Sequence, residues 1–484
     1  MMKCKELLQG LVPVSAQYGE WIVEHISCDS RTCVKNTLFI AIKGSHLDGN
    51  KFVHQAIDRG ANVIITDNKQ SEAMSNDQVC FLFAPEPGAL LKDIALRFYD
   101  APSTKVRTVG ITGTNGKTTV SYLIEAILYQ AEKRCGVIGT INHRVGTQVW
   151  ASRNTTPGLL ANQEFLSRLV GDGVEYCAME VSSHALDQGR VDLIDFDRAI
   201  FTNLSSDHLD YHKTPDAYFQ AKARLFNQLS QRGVAIINAD DPRGELLIEG
   251  TKAGVLTFGL TPDSDVYARD IQSTMGGLQF ELMTSQKEMV ICSSLIGVFN
   301  LYNILAAVTC CLSWGIDLEI IKKGIERFSF VPGRLQRIEE VKRCAVFIDY
   351  AHTEDALEKV LLECKKLTEG KVICVFGCGG DRDVFKRKAM GAVASRCADI
   401  SVVTTDNPRS EDPQEIIDAI VVGFSSDNYC VEADRRRAIE RALNLARPED
   451  IVLIAGKGHE NYQVLRDETI EFNEVEIIKE ICDV

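Results

Sequence analysis

Val109-Gly-Ile-Thr-Gly-Thr-Asn-Gly-Lys-Thr-Thr119 is the stretch on which the reading of this chain turns. Its apolar start predicts a strand, and Val120-Ser-Tyr-Leu-Ile-Glu-Ala-Ile-Leu128 predicts a helix whose N-terminus faces the turn between them. Unpaired N–H groups and the helix dipole favour phosphate at that place. In such a loop Lys117 neutralises phosphate charge and the Thr118 hydroxyl reaches magnesium, while Gly113, Thr114, Asn115, Gly116 and Thr119 complete a nucleotide cradle. The strict pattern leaves four residues between its first glycine and the Gly-Lys pair. That position is Ile111, with glycines at Gly110 and Gly113 instead, so a variant loop is expected.

The loop lies a hundred residues into a chain of 484, and something folded should precede it. This length exceeds a single core and predicts about two to four domains. A hydrophobic fraction of 45% with 25% charged residues is that of a soluble globular protein. The formal net charge of -14 argues against nucleic acid or an anionic membrane as partner. No apolar run approaches the ~18 residues of a membrane span, and Met1-Met-Lys-Cys-Lys-Glu-Leu-Leu8 lacks a signal-peptide core. A cytoplasmic monomer is expected. The 16 cysteines are scattered without a Cys-x-x-Cys pair, and most, such as Cys80, Cys292 and Cys374, sit in apolar runs as reduced thiols. Cys374 and Cys378 are close enough to raise a redox alternative, but Cys374 reads as an interior strand residue.

The pattern predicts an α/β protein of three domains, with boundaries at 1–104, 105–331 and 332–484. The first is small and mixed, with strands at Thr37-Leu-Phe-Ile-Ala-Ile42, Val63-Ile-Ile65 and Val79-Cys-Phe-Leu-Phe83 and a helical turn from Phe52 to Arg59. The second is a central parallel-sheet domain of the phosphate-loop ATPase kind. Its strands are Val106–Ile111, Tyr176–Val181, Arg198–Leu204, Val234–Asn238 and Val255–Phe258, with an antiparallel insertion from Val266 to Cys292 and a helix from Asn303 to Trp314. The third is Rossmann-like, alternating strands at Ala345–Ile348, Val372–Phe376, Ile400–Thr404 and Ile451–Ile454 with helices at Glu354–Leu367, Gln414–Phe424 and Arg435–Ala446.

Polar clusters follow these strands. Glu180-Val-Ser-Ser-His184 and Thr202-Asn-Leu-Ser-Ser-Asp-His-Leu-Asp-Tyr-His212 place acids and imidazoles near the phosphate loop, which makes a divalent-cation site credible, with Glu180 its strong candidate and His208 a weaker one. Ile348-Asp-Tyr-Ala-His352, Gly377-Cys-Gly-Gly-Asp-Arg-Asp383, Thr405-Asp-Asn-Pro-Arg409 and Ala455-Gly-Lys-Gly-His-Glu460 repeat the arrangement in the third region. Their acids, arginines and glycines suit a small zwitterion and the far side of a nucleotide.

With these residues in order from Asp29-Ser-Arg31 to Glu460, the chain resembles the Mur ligases, the ATP-dependent amide ligases that build the peptide of bacterial peptidoglycan. The resemblance implies three domains that bind, in turn, the UDP portion of a precursor, ATP with Mg2+, and an incoming amino acid. It assigns Ser30 to the uridine end, and Asn154, Thr155, Thr156, Ser182, Gln188 and Arg190 to the muramoyl-dipeptide side. Glu180 and His208 match magnesium ligands, joined by Thr118 and by Lys222, which matches a lysine the family converts to an anionic carbamate. Without that motif, Lys222 reads as an exposed helical lysine. Asn300, Asn303, Arg334 and Asp349 match positions around the nucleotide, and the loop at His352 adjoins them. Arg382, Asp406, Asn407, Arg409, Gly456 and Glu460 match the amino-acid site. In lysine-adding relatives the arginine of Asp406-Asn-Pro-Arg409 is replaced, so the motif implies meso-2,6-diaminopimelate as the amine and UDP-N-acetylmuramoyl-L-alanyl-D-glutamate as the acceptor. Arg409 suits the extra carboxylate of that amine. Folate polyglutamate ligases share the phosphate-loop chemistry, and a nucleotide-driven switch is the rival from another class.

Overall fold

The computed structural model describes residues 1–44, 47–285 and 287–483. The chain forms two compact units. One comprises Met1–Thr108, Thr156–Cys177 and His184–Phe196, and the other Val109–Thr155, Ala178–Ser183 and Asp197–Val484.

In the first unit His25–Ser27, Thr37–Ile40, Ala61–Thr66 and Cys80–Phe83 form a parallel sheet in that order. Every residue of Thr37–Ile40 is buried, as expected of a strand covered on both faces. A short antiparallel pair, Met2–Lys3 with Ile22–Val23, makes the unit mixed. Leu159 and Leu160, which open the helix Leu159–Gly171, pack with Leu193 against its core. The unit is therefore assembled from three separate stretches of chain.

The second unit carries the larger sheet. Among the described residues its strands run Gln148–Ala151, Asn142–Val145, Cys135–Ile138, Tyr176–Glu180, Arg107–Thr112, Phe196–Phe201, Val234–Asn238, Gly254–Gly259, Val266–Thr274, Gly277–Thr284 and Glu288–Ser293. Arg107–Thr112 thus lies between two strands that come later in sequence. The chain leaves it for Cys135–Ile138 on one side, whereas its neighbour Phe196–Phe201 leads to Val234–Asn238 on the other, and such a switch point is where open α/β sheets bind ligands. The last three strands are antiparallel, as the alternating pattern predicts, and turn at Gly277. Gly277 has φ +121°, and a Cβ there would stand 1.9 Å from the Ser293 carbonyl oxygen.

The C-terminal sheet orders Gln336–Arg337, Ala345–Asp349, Ile451–Ala455, Val372–Phe376, Ile400–Val403 and Tyr429–Val431. All neighbours are parallel except the first pair. The sequence pattern leaves out Cys135–Ile138 and the hairpin Asn142–Val145/Gln148–Ala151, besides the helices Pro87–Tyr99, Leu159–Gly171 and Phe385–Cys397. The hairpin lacks an apolar run because Arg144 anchors it. The guanidinium lies 3.7 Å over the Tyr122 ring, and its Nε donates to Glu125 Oε2 at 2.9 Å. Cys374 and Cys378 are both buried, and burial pushes each thiol up to about 12, which removes the thiolate a redox role needs.

Candidate active site

Ile111 is wholly buried within the strand Arg107–Thr112, so the variant loop begins only at Gly113. It is tightly enclosed. At Gly113 (φ +148°) a Cβ would fall 1.9 Å from Thr202 Oγ1, and at Gly116 (φ +90°) 2.2 Å from Asn303 Oδ1. Asn303 is oriented in turn by donating to Asn300 Oδ1 at 3.0 Å, while Asn300 donates to the Ile296 carbonyl. Asn203 fixes the loop from the other side, accepting from Thr114 N and Asn115 N. Lys117 Nζ folds back onto the Gly113 and Thr114 carbonyls at 2.9 Å each. Burial lowers its pKa, with the Glu180 and Asp207 carboxylates opposing.

The buried carboxylate of Glu180 ends the neighbouring strand Tyr176–Glu180. It accepts from Thr140 N at 2.8 Å, Thr140 Oγ1 at 2.9 Å and Thr118 Oγ1 at 3.0 Å. A Cβ at Gly139 would stand 2.3 Å from Glu180 Oε1, so only glycine admits the carboxylate there. Thr140 follows a strand absent from the sequence-based prediction, and a Gly-Thr pair after that short apolar run was the available signal. Its hydroxyl is also 3.1 Å from that of Thr155.

Side chains of the C-terminal part close the same cavity, about 270 Å³ in volume, which holds Lys117, Thr118, Glu180, Asn300, Arg334 and Asp349 on its walls. Arg334 donates to Thr118 Oγ1 at 3.1 Å and lies 4.6 Å over the Tyr350 ring, while among the described residues its Nε is buried without a partner. Asp349 accepts from Leu335 N and Ala351 N, and burial raises its pKa. Asp355, in the first turn of the helix Glu354–Leu367, has no role in the sequence reading. Its Oδ2 accepts from Asn115 Nδ2 at 3.1 Å and Ser205 Oγ at 2.8 Å, which ties that helix to the phosphate loop.

Lys222 is buried on the inner face of the helix Pro215–Asn227, and Nζ donates to the Gly113 carbonyl at 2.8 Å. Reading it as an exposed helical lysine is therefore corrected. The Tyr218 ring lies 4.4 Å from Nζ. Burial, aided by the nearby Lys117 charge, depresses its pKa well below the lysine range. His208 also lines the cavity, at φ +54°, with its Nε2 3.5 Å from Asp207 Oδ2. Among the described residues no three His, Cys, Asp or Glu side chains converge as a metal cluster. The ligand set read from sequence includes a hydroxyl and a lysine, and of its members the structure joins Thr118 to Glu180.

Around the strand ends of the third region, Asn407 Nδ2 donates to Glu460 Oε2 at 2.8 Å. Arg409, at φ +52°, turns its guanidinium onto the Gly380 carbonyl at 2.7 Å and lies against Gly379. Gly456 has φ +114°, and a Cβ there would lie 2.8 Å from Asp406 Oδ2. Arg382 lines a separate groove with Asp210, Glu354 and Phe385.

Ser30, Thr156, Gln188 and Arg190 lie in the first unit. Ser30 Oγ donates to Gln55 Oε1 at 2.6 Å. Arg190 joins the other two, donating to the Thr156 carbonyl at 3.0 Å and from Nε to Gln188 Oε1 at 2.9 Å. Asn154 is exposed and Ser182 half-buried, both in the second unit.

Three successive segments match models of one family: residues 22–98 the Mur ligase family catalytic domain, 111–311 the Mur ligase middle domain, and 333–458 the Mur ligase glutamate ligase domain. The chain belongs to the Mur ligase family and is a ligase, built as three α/β domains. It is 42% identical over 484 residues to UDP-N-acetylmuramoyl-L-alanyl-D-glutamate--2,6-diaminopimelate ligase 1 of Clostridium acetobutylicum, covering 99% of each chain. The enzyme of the same function from Caldanaerobacter subterraneus is 41% identical, again with 99% of each chain covered. A solved structure of a UDP-N-acetylmuramoyl-L-alanyl-D-glutamate--2,6-diaminopimelate ligase superposes with a TM-score of 0.69 at 32% identity, covering 100% of this chain and 99% of that one.

Proposed function

We propose that this chain adds meso-2,6-diaminopimelate to the D-glutamyl γ-carboxylate of UDP-N-acetylmuramoyl-L-alanyl-D-glutamate, using ATP, in peptidoglycan precursor synthesis. Residues 1–104 take the UDP portion, 105–331 the ATP and 332–484 the amino acid. Both ATP and a UDP-linked acceptor are cytoplasmic compounds, and the reaction belongs in that compartment. The observation that carries the reading is the shared cavity in which the phosphate loop, Glu180, Arg334 and Asp349 meet.

These residues fit a magnesium nucleotide. The buried Arg334 Nε, unpartnered among the described residues, can donate to a phosphate oxygen, and Gly116 lets the loop pass close against Asn303, where any Cβ would collide with Oδ1. Thr118 and Glu180 supply the hard oxygen donors that Mg2+ prefers. Thr118, Glu180, His208 and carbamylated Lys222 would hold the metal; when bound, magnesium neutralises phosphate charge and orients the triphosphate.

A carboxylate oxygen is a poor leaving group, so the acceptor must be activated. A γ-carboxylate oxygen of D-glutamate attacks the γ-phosphorus of ATP, the bond to ADP breaks, and an acyl phosphate forms. Lys117 exchanges its two carbonyl partners for phosphate oxygens and stabilises the charge in transfer. The free amine of diaminopimelate then attacks the acyl carbon. Phosphate leaves with the bonding electron pair, and the amine proton passes to solvent. Asn407, Arg409 and Glu460 hold the far end of the amine. Lys222, which the loop carbonyl already positions, adds its neutral amine to CO2 with loss of a proton and becomes the anionic carbamate.

The test is product identification by mass after incubation with ATP, the UDP-muramoyl-dipeptide and either diaminopimelate or lysine. A single amide product that needs ATP and diaminopimelate is expected. Equal ligation of lysine, or ATP hydrolysis without an amide product, would overturn the reading.

A further inference from the structure

We propose that Lys457 is a positioning residue that sets specificity in the amino-acid pocket, by fixing the Asn407 carboxamide and the Glu460 carboxylate so that the pocket accepts one ammonium group. This rests on the reading of these loops as the amino-acid site. Lys457 lies just beyond the strand Ile451–Ala455 and is fully buried. Its Nζ donates to Asn407 Oδ1 at 3.1 Å and Glu460 Oε2 at 3.4 Å. Val464 N donates to the same Asn407 Oδ1 at 2.9 Å. Two donors on that oxygen decide which way the carboxamide faces, so Nδ2 is the atom turned to Glu460 Oε2. Glu460 is thereby held by one oxygen. Among the described residues its Oε1 accepts no hydrogen bond, which leaves that oxygen for a ligand.

Charge gives Lys457 a second task. Arg435, fully buried, donates to Glu474 Oε1 at 2.7 Å and to the Ala455 carbonyl at 2.8 Å, directly beneath the loops. Asp406 reaches the same place, since it faces the Gly456 position. Two cations, Arg435 and Lys457, thus meet three carboxylates, Asp406, Glu460 and Glu474. Arg409, on the same loops, is a third cation, so the set balances and suits the zwitterionic far end of the amine. Removing Lys457 would take one donor from Asn407 Oδ1 and the cation from Glu460 Oε2, so neither group would keep its orientation.

Lys457→Met is compared with the unaltered enzyme using diaminopimelate and 2-aminopimelate, which keeps the attacking amine and lacks the distal ammonium. The KM for diaminopimelate should rise about tenfold or more, as for a truncated buried charge pair, while the KM for ATP stays within about twofold. The preference in kcat/KM for diaminopimelate over 2-aminopimelate should collapse by a similar factor; a merely structural lysine would depress both amines alike. An unchanged preference overturns the proposal. If Lys457→Met does not fold, as judged by melting and nucleotide binding, Lys457→Gln keeps a donor to Asn407 and carries the same test, and failure of both to fold also overturns it. Arg409→Ala is measured alongside. If its diaminopimelate kinetics change while those of Lys457→Met do not, only the role of Lys457 fails; if neither changes, the placement of the amino-acid site fails.

Discussion

Replacing Thr140 by valine should impair ligation while leaving the fold intact. Valine keeps the shape of threonine and the backbone N–H that reaches Glu180 Oε1, but removes the hydroxyl that donates to Oε2 at 2.9 Å. Glu180 is almost wholly buried, so water cannot readily replace the lost donor. A hydrogen bond to a charged group contributes about 1.5–3 kcal/mol, which at ~1.4 kcal/mol per decade corresponds to a loss of about 10- to 150-fold in rate if Glu180 must hold this orientation in the transition state. The assay is kcat for amide formation at saturating substrates, with Mn2+ affinity followed by electron paramagnetic resonance and folding by thermal melting. Thr140→Ser should retain most of the activity. A valine variant within about twofold of wild type, with unaltered Mn2+ affinity, would refute the argument that Thr140 aims this carboxylate.

Gly116→Ala forces a Cβ into a left-handed position 2.2 Å from Asn303 Oδ1 and should weaken nucleotide affinity about tenfold or more, measured calorimetrically with a non-hydrolysable ATP analogue; unchanged affinity would count against the tight-loop account. Lys222→Ala should abolish ligation and regain part of it when a short-chain carboxylate is added, whereas full activity without rescue would remove the carbamate role. Stability should fall as the medium is acidified below neutrality. His459 is held neutral, its pKa lowered to about 3 by burial and then by Arg334 and Lys457, whereas in the unfolded chain it takes up a proton near 6.5. The unfolded state binds more protons in that window, so stability is lost as pH drops from 6.5 toward 3. His459→Gln should flatten the fall in melting temperature between pH 7 and 5, and an identical slope would contradict the assignment.

The elements legible in the sequence were those whose physics is local. Val372–Phe376 is a buried parallel strand and reads as an unbroken apolar run. Glu354–Leu367 begins where Thr353 caps it, with two acids in its first turn and two lysines in its last, and its observed bounds match the pattern. The hairpin Asn142–Val145/Gln148–Ala151 was illegible because its anchor is the Arg144 contact with Glu125 and Tyr122 on a distant helix. The site divides in the same way. Glu180 stands out as an acid at a strand end, but Thr140 and Asp355 act through partners 40 and 240 residues away, which no spacing rule reaches. Lys222 is the sharpest case, since helical periodicity alone cannot say that a lysine faces inward.

The first unit closes its core with Leu159, Leu160 and Leu193, all of them from beyond the phosphate loop. A fragment ending at residue 104 would expose the apolar surface those leucines cover, and should be prone to aggregation. The segment is therefore not a portable module. A graft or chimera that exchanges the N-terminal end between relatives must carry the 156–177 and 184–196 stretches with it, and recombination at a single crossover after the first hundred residues should be selected against.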